Sequence, residues 1–362
     1  MNKFLLFFIL FISYIFNEEV SINKTSNIKF FNKTFEKQPL NNLSIKKKNV
    51  ILGIIQNYSL SKIFPFFKSL LFANIKNCDV IIFIRNVSID VIKYLKTIDV
   101  LIIKISDKYK NVNAINLRWK LYFDFLKENE NKYNLVLHVD IRDTFFQKDF
   151  FEYYENYKPF LGVAIEDGYL NKGVNKKWII EYVGVDKHKI IENKRIICVG
   201  TIWGTIDIFM NFSINFWNKL MENPDCMEQG IANYMFYYDK IFENYLVKSD
   251  NYGPVMTLGI TKRENIVLDS ENNVLNFKGE KAAIIHQYDR KPDIVNKVIQ
   301  KFCPELINFW SEINKIKKYY KNIQFNQTKN MEKKYKNIIY MLIFFQFFIL
   351  IIIYKYFVLQ NN

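Results

Sequence analysis

Four short, continuously apolar runs alternate with segments of helical pattern in the first part of the chain, and this alternation limits the fold strongly. The runs are 50–56, 79–84, 100–105 and 135–139, and the helical segments between them are 63–73, 90–97 and 113–129. Strands that are apolar at every position are typical of sheets covered by helices on both faces. Short connections between such strands and helices predict a doubly wound, mostly parallel α/β sheet.

The second half of the chain adds further predicted elements to this sheet. Helices are expected at 145–157, 206–221 and 225–238, strands at 160–165, 196–203 and 282–285, and a small hairpin at 267–275. His188 stands in a lysine-rich segment that we interpret as a loop, so it is expected to be solvent-exposed.

Two acids, Asp140 and Asp143, directly follow the fourth apolar run. In open α/β sheets, ligands bind outside the carboxyl ends of the strands. Two carboxylates three residues apart can share a divalent cation such as Mg²⁺ or Mn²⁺, which in turn can hold a diphosphate. The alternative is that both acids cap a following helix, since Asp is favoured at helix starts.

The 362-residue chain has a formal net charge of +15, and this charge does not indicate a nucleic-acid partner. The lysines are spread along the chain together with abundant Asn and Ile, as a coding bias toward AT-rich codons would produce. A nucleic-acid footprint is expected to be a clustered patch, and the central sequence shows none. Four scattered cysteines without a Cys-x-x-Cys pair argue against zinc, and leave disulfides and free thiols as open alternatives.

Both ends of the chain have the composition of membrane-targeting segments. An apolar run at 4–16 after a lysine predicts a signal peptide, or an uncleaved signal anchor. The apolar segment 338–358, interrupted by Gln346 and Lys355, is long enough to span a bilayer as a helix. The expected organisation is a signal segment (1–17), a stem (18–48), a catalytic domain (49–292), a basic helical neck (293–337) and a transmembrane helix (338–358).

Two signals disagree about the side of the membrane on which the central domain lies. Seven asparagines begin Asn-x-Ser/Thr acceptor sequences, as in a lumenal domain: Asn23, Asn32, Asn42, Asn57, Asn86, Asn211 and Asn326. Eight lysines between 315 and 336 precede the C-terminal span and favour a cytosolic position instead. Because lysine is abundant everywhere, we favour a single-pass protein of the endoplasmic reticulum or Golgi membrane with a lumenal domain.

Four stretches together resemble a glycosyltransferase of the GT-A fold, a Rossmann-like sheet, in the nucleotide-diphospho-sugar transferase-like group. They are 50–58, Asp140-Ile141-Arg142-Asp143 with 145–149, Val199-Gly200-Thr201-Ile202-Trp203-Gly204 with Glu228-Gln229-Gly230, and His286-Gln287-Tyr288-Asp289-Arg290. The resemblance covers residues 49–292. It implies a nucleotide-sugar donor and a glycan, protein or lipid acceptor.

The resemblance also implies roles for individual residues. The metal ligands for Mn²⁺ or Mg²⁺ would be Asp140, Asp143 and His286. The donor contacts would be Tyr58, Arg118, Asp140, Arg142 and Arg290. Glu228 would be the catalytic general base or would hold the acceptor, with Asp225 as its substitute. Simpler interpretations exist for two of them: Arg118 on a solvated helix face, and Glu228 as a first-turn acid favoured by the helix dipole. Trp203 is expected in the core or, alternatively, against a sugar ring.

One position departs from the family pattern. The usual motif spaces its acids two apart, and Arg142 stands where the second acid is expected. Either Asp143 replaces the missing acid, or Arg142 contacts phosphate oxygens directly. The same departure supports a degenerate, non-catalytic transferase-like membrane protein as an alternative. A nucleotidyltransferase is a further alternative, but it would need a glycine-rich basic loop in place of 56–59.

Overall fold

The computed structural model describes residues 47–155 and 157–304. The strands are Lys48–Gln56 (β1), Cys78–Arg85 (β2), Leu101–Lys104 (β3), Tyr133–Val139 (β4), Thr144–Phe146 (β5), Leu161–Tyr169 (β6), Arg195–Thr205 (β7), Leu246–Ser249 (β8), Val255–Thr257 (β9), Val267–Leu268 (β10), Val274–Leu275 (β11) and Ile284–His286 (β12). The α-helices are Leu60–Ala73 (α1), Ile89–Leu95 (α2), Ala114–Glu128 (α3), Gly173–Ile191 (α4), Ile206–Glu222 (α5), Glu228–Tyr234 (α6) and Pro292–Phe302 (α7).

The central sheet has seven strands in the order β3-β2-β1-β4-β7-β6-β8. Every neighbouring pair is parallel except the two pairs that β7 makes with β4 and β6. The prediction of a mostly parallel α/β sheet is therefore confirmed.

Within 47–155 and 157–304, the longest apolar helices are too short or too polar to cross a bilayer. The predicted signal segment and transmembrane helix lie outside these residues.

Both faces of the sheet are covered, which explains why its strands are apolar at consecutive positions. On β1, Val50 and Leu52 pack into one core cluster with α3 and α5. Ile51 and Ile55 point to the opposite face and pack into a second cluster with α1 and α2. Successive side chains of a strand alternate between faces, so a strand buried on both sides carries no polar positions.

A small three-stranded sheet, in the order β5-β12-β9, lies beside the carboxyl end of the central sheet. Its core cluster includes Ile294, Val298 and Phe302 of α7. The first turns of the predicted neck thus pack against the folded unit. The predicted hairpin at 267–275 is confirmed as the antiparallel pair β10 and β11.

Two predictions were wrong. Residues 145–157 do not form one helix, because 144–146 pair with β12 as strand β5 and only Phe151–Tyr153 makes a helical turn. Aromatic side chains suit a strand when a partner strand is available, and that partner is far away in sequence. His188 is buried on α4, where its Nε2 lies 3.0 Å from the Leu170 carbonyl oxygen. The lysines around it occupy the outer face of a helix that bends at Gly184.

Candidate metal and donor site

Three segments bring the predicted metal ligands together at the carboxyl end of the sheet. Asp140 follows β4, and its amide donates to the Gly200 carbonyl of β7 at 2.9 Å. Asp143 immediately precedes β5, and His286, the last residue of β12, pairs with Thr144 of β5. The small sheet therefore holds the histidine beside the second acid. This is the edge at which open α/β sheets bind ligands.

The three side chains surround a point suited to a cation. Their potential ligand atoms all lie within 4.8 Å of one another. His286 Nε2 lies 3.6 Å from Asp143 Oδ1 and 3.8 Å from Asp140 Oδ2, beyond hydrogen-bonding distance. Asp143 Oδ1 and His286 Nε2 are buried without a hydrogen-bond partner among the described residues. Buried polar atoms of this kind are rare, and a cation bound between them would satisfy both. Two carboxylates and an imidazole suit Mn²⁺ and are also compatible with Mg²⁺.

Glycine is required at position 200 because the side chains of His286 and Asp140 come close to the backbone there. A Cβ atom at this position would collide with His286 Cε1 and lie 2.7 Å from Asp140 Oδ2. No side chain fits between the two ligands, so the backbone of β7 forms the floor of the cluster.

Neighbouring charges favour the ionised form of Asp143. Burial alone would raise the pKa of Asp143, but His286 and Arg142 outweigh it and lower this pKa to about 2. Arg142 Nη2 donates to Asp143 Oδ2 at 2.9 Å and lies 3.5 Å from Asp289 Oδ2. One oxygen of Asp143 is thus held by Arg142, and the other faces the cluster. Burial opposes protonation of His286, yet Cys198 and Asp143 raise its pKa well above the ordinary value.

A buried arginine connects Asp140 to Glu228. Arg118 Nη1 donates to Asp140 Oδ1 at 2.6 Å, and its Nη2 donates to Glu228 Oε1 at 2.5 Å. The other oxygen of Glu228 accepts from Trp119 Nε1 at 3.1 Å. Arg118 is only 2% exposed, so the alternative of a solvated helix face is wrong.

Glu228 is therefore engaged on both carboxylate oxygens. Burial raises the pKa of Glu228 to about 7, against the opposing effect of Arg118. The side chain lies behind Asp140, on the far side of Arg118. Asp225 is exposed in the turn before α6, outside the ion pairs that join Arg118, Asp140 and Glu228.

The remaining predicted donor residues lie around the same edge. Tyr58 follows β1 and is half-buried; burial and the charge of Asp140 raise its pKa. Arg290 is exposed on the turn after His286, and a Cβ atom on Gly259 would lie 3.0 Å from Arg290 Nη1. Both residues leave part of their surface accessible to a ligand.

Sequence reasoning assigned no role to Glu166 or Cys198. Glu166 lies near the carboxyl end of β6 and is buried, with a pKa raised by burial. Cys198 Sγ lies 3.5 Å from His286 Nδ1, and all four cysteines are free thiols. An acid at the end of an apolar run is the signal that identified Asp140, and it was present for Glu166 as well. Trp203 is fully buried, as expected for a core residue.

Comparison with known proteins gives matches among solved structures only. No protein-family model matches the chain, and no curated protein matches it. The glycosyltransferase GlyE of Streptococcus pneumoniae TIGR4 overlaps with a TM-score of 0.37 and 12% identity, over 56% of this chain. The chain spans 45% of the length of GlyE, which is less than half.

Two structures of LgtC overlap to a similar degree. One is a mutant altered in its active site, and the other is a galactosyltransferase complex with donor and acceptor sugar analogues. Each has a TM-score of 0.40 and 11% identity, over 66% of this chain and 86% of LgtC. Similarity at this level defines no function, so any assignment depends on the geometry of the site.

Proposed function

We propose that the protein is a metal-dependent glycosyltransferase that moves a sugar from a nucleotide-sugar to a glycan, protein or lipid acceptor. The observation that supports this most directly is that Asp143 Oδ1 and His286 Nε2, buried 3.6 Å apart and close to Asp140, have no hydrogen-bond partner among the described residues. They lie at the sheet edge where a nucleotide would bind, and the sequence around them resembles GT-A enzymes.

In this proposal, Asp140, Asp143 and His286 hold Mn²⁺ or Mg²⁺. The cation supplies charge neutralisation for the nucleoside diphosphate that leaves when the sugar is transferred. Arg118 fixes the orientation of Asp140 through their 2.6 Å hydrogen bond. Arg142 is 42% exposed beside Asp143, so its free guanidinium nitrogens would contact phosphate oxygens.

Other residues would bind the rest of the donor. Arg290 would approach the diphosphate from the turn after His286, and Tyr58 would contact the nucleoside at the end of β1. Glu228 would act by holding Arg118, because both of its carboxylate oxygens already accept hydrogen bonds. Asp225, which is exposed, would face the acceptor.

Calorimetric titration of the full-length protein in detergent with UDP and GDP, with and without Mn²⁺, tests the proposal. We expect one nucleotide to bind only when Mn²⁺ is present. Asp143→Asn should abolish this binding, whereas Asp79→Asn, at the opposite end of the sheet, should retain it. Wild-type protein that is folded but binds neither nucleotide would favour the non-catalytic alternative.

We also propose that the described domain lies in the lumen of the endoplasmic reticulum or Golgi. Three of the predicted glycosylation sites, Asn57, Asn86 and Asn211, are exposed, as glycan attachment requires. Treatment of the protein from its native membrane with an N-glycosidase should increase its gel mobility. Unchanged mobility would favour the cytosolic side.

A further inference from the structure

Two glutamates are buried near the candidate metal ligands, and they differ in what they contact. Glu228 has both oxygens occupied by Arg118 and Trp119. Glu166 is only 3% exposed, and none of the ion pairs among residues 47–155 and 157–304 includes its carboxylate. The nearest arginine on β7, Arg195, instead donates to the Glu166 backbone oxygen and to Asp167.

In the ladder between β6 and β7, Ala164 lies opposite Cys198 and Ile165 lies opposite Ile197, so Glu166 and Cys198 are diagonal neighbours on one face of the sheet. Burial raises the pKa of Glu166, and hydrogen bonding from Cys198 and Gln229 opposes that rise. Cys198 in turn lies 3.5 Å from the ring nitrogen of His286 that points away from the cluster. The charges of His286 and Arg290 also lower the pKa of Glu166, against the effect of burial. Glu166 is thus separated from the predicted metal ligand His286 by a single side chain, Cys198.

A row of uncharged polar groups continues outward from Glu166. Gln229 Nε2 donates to Asn175 Oδ1 at 2.8 Å, and Asn175 is itself buried at the start of α4. A spatial row of amide and carboxylate groups suits a ligand that carries several hydroxyl groups, because each hydroxyl can donate to or accept from such groups. A buried carboxylate without a cationic partner is costly, and hydroxyl donors from a ligand would offset that cost.

From these contacts we infer that Glu166 is a specificity-determining residue that hydrogen-bonds the hydroxyl groups of the donor sugar and selects neutral sugars over acidic ones. This inference rests on the proposed function. A sugar attached to a metal-bound diphosphate would reach the side of the cluster on which Glu166 lies. A uronic acid there would bring its carboxylate toward that of Glu166, and like charges in a desolvated site repel strongly.

The test compares two donors that differ in one group. Full-length protein in detergent is titrated with UDP, UDP-glucose and UDP-glucuronic acid in the presence of Mn²⁺ at about pH 8. If GDP rather than UDP binds, GDP-mannose and GDP-mannuronic acid replace the two sugar donors. The variants are Glu166→Gln and, as a matched control, Asp167→Asn, whose side chain pairs with Arg195.

We expect wild-type protein to bind the neutral donor about 10-fold or more tightly than the acidic donor. Glu166→Gln should reduce this ratio to about 2-fold or less, whereas Asp167→Asn should keep the wild-type ratio.

Two results would overturn the inference: a wild-type protein that binds both donors equally, or a Glu166→Gln protein that keeps the full ratio. The first is measured without any variant, so it stands even if Glu166→Gln fails to fold. In both cases Mn²⁺-dependent binding of UDP or GDP would leave the proposed function intact. Absence of all nucleotide binding would remove the proposed function itself.

Discussion

Two acidic clusters lie at opposite ends of the same parallel strands, and they differ in whether their buried polar atoms all have hydrogen-bond partners. At the amino ends of β1, β2 and β4, Asp79 Oδ1 accepts from Lys48 at 2.8 Å. Asp79 Oδ2 lies 2.6 Å from Lys132 Nζ and accepts from the Tyr133 hydroxyl at 2.9 Å. At the carboxyl ends, Asp143 and His286 each keep a buried atom without a hydrogen-bond partner among the described residues.

From this difference we predict that the first cluster stabilises the fold and that the second binds a ligand. The Asp79 cluster satisfies both carboxylate oxygens with cations and a hydroxyl from the chain itself. The cluster of Asp140, Asp143 and His286 is completed only by something that the described part of the chain does not supply. Polar atoms buried without hydrogen-bond partners are costly, and at the edge where open α/β sheets bind ligands they support the proposed site.

The largest expected effect concerns the buried ion pair behind Asp140. Glu228→Ala leaves Arg118 buried with one partner, and the free energy of unfolding should fall by about 3 kcal/mol. Lys48→Ala removes an ion-pair partner from the Asp79 cluster, but Lys48 is 47% exposed, so the loss should be below about 1 kcal/mol. Chemical denaturation of both variants measures the difference, and equal losses would contradict the comparison.

Removal of a side chain from each cluster should affect Mn²⁺ affinity in only one of the two clusters. His286→Ala should weaken Mn²⁺ binding by about 100-fold, because it removes a ligand rather than an outer contact. Tyr133→Phe removes one partner of Asp79 and should leave Mn²⁺ affinity unchanged. Electron paramagnetic resonance of free Mn²⁺ gives both affinities. Normal Mn²⁺ binding by His286→Ala would exclude His286 from the site.

Gly200→Ala tests the space between the ligands and should weaken Mn²⁺ binding by about 10-fold, since its Cβ atom would displace His286 or Asp140. Gly204→Ala is the matched control on the same strand. Its Cβ atom would lie 2.5 Å from the Phe160 carbonyl oxygen, so it should lower thermal stability without a specific loss of metal affinity. Equal metal affinities in the two folded variants would refute the requirement for Gly200.

The smallest effect is the pH dependence of the Asp79 cluster. Burial would raise the pKa of Asp79, but hydrogen bonds from Lys132, Lys48 and Tyr133 lower it below the ordinary value. The stabilisation is therefore present above the unfolded pKa of about 3.9 and is lost as the pH falls through the lower, folded pKa. Asp79→Asn should reduce the free energy of unfolding by about 1 kcal/mol at neutral pH and by less in acid. A reduction that is independent of pH would show that the charge of Asp79 is not involved.

Local patterns in the sequence were enough to predict the central sheet and one half of the site. Continuous apolar runs identified β1, β2, β4 and β6, because a strand buried on both faces has no polar positions. The acids after β4 followed directly from the end of such a run. The same logic would have identified Glu166, whereas residues 145–157 were misassigned because their aromatic residues pair with a strand that comes much later in the chain.

The remaining contacts of the site depend on pairing between residues that are far apart in the sequence. Arg118 and Glu228 are 110 residues apart, and Cys198 and His286 are 88 residues apart. Their meeting depends on the antiparallel insertion of β7 and on the register of β12 against β5, which local periodicity does not encode. The chain's own residue pattern thus specified the strands and the acids that end them. The packing of distant strands specified which atoms of those acids are satisfied and which remain available to a ligand.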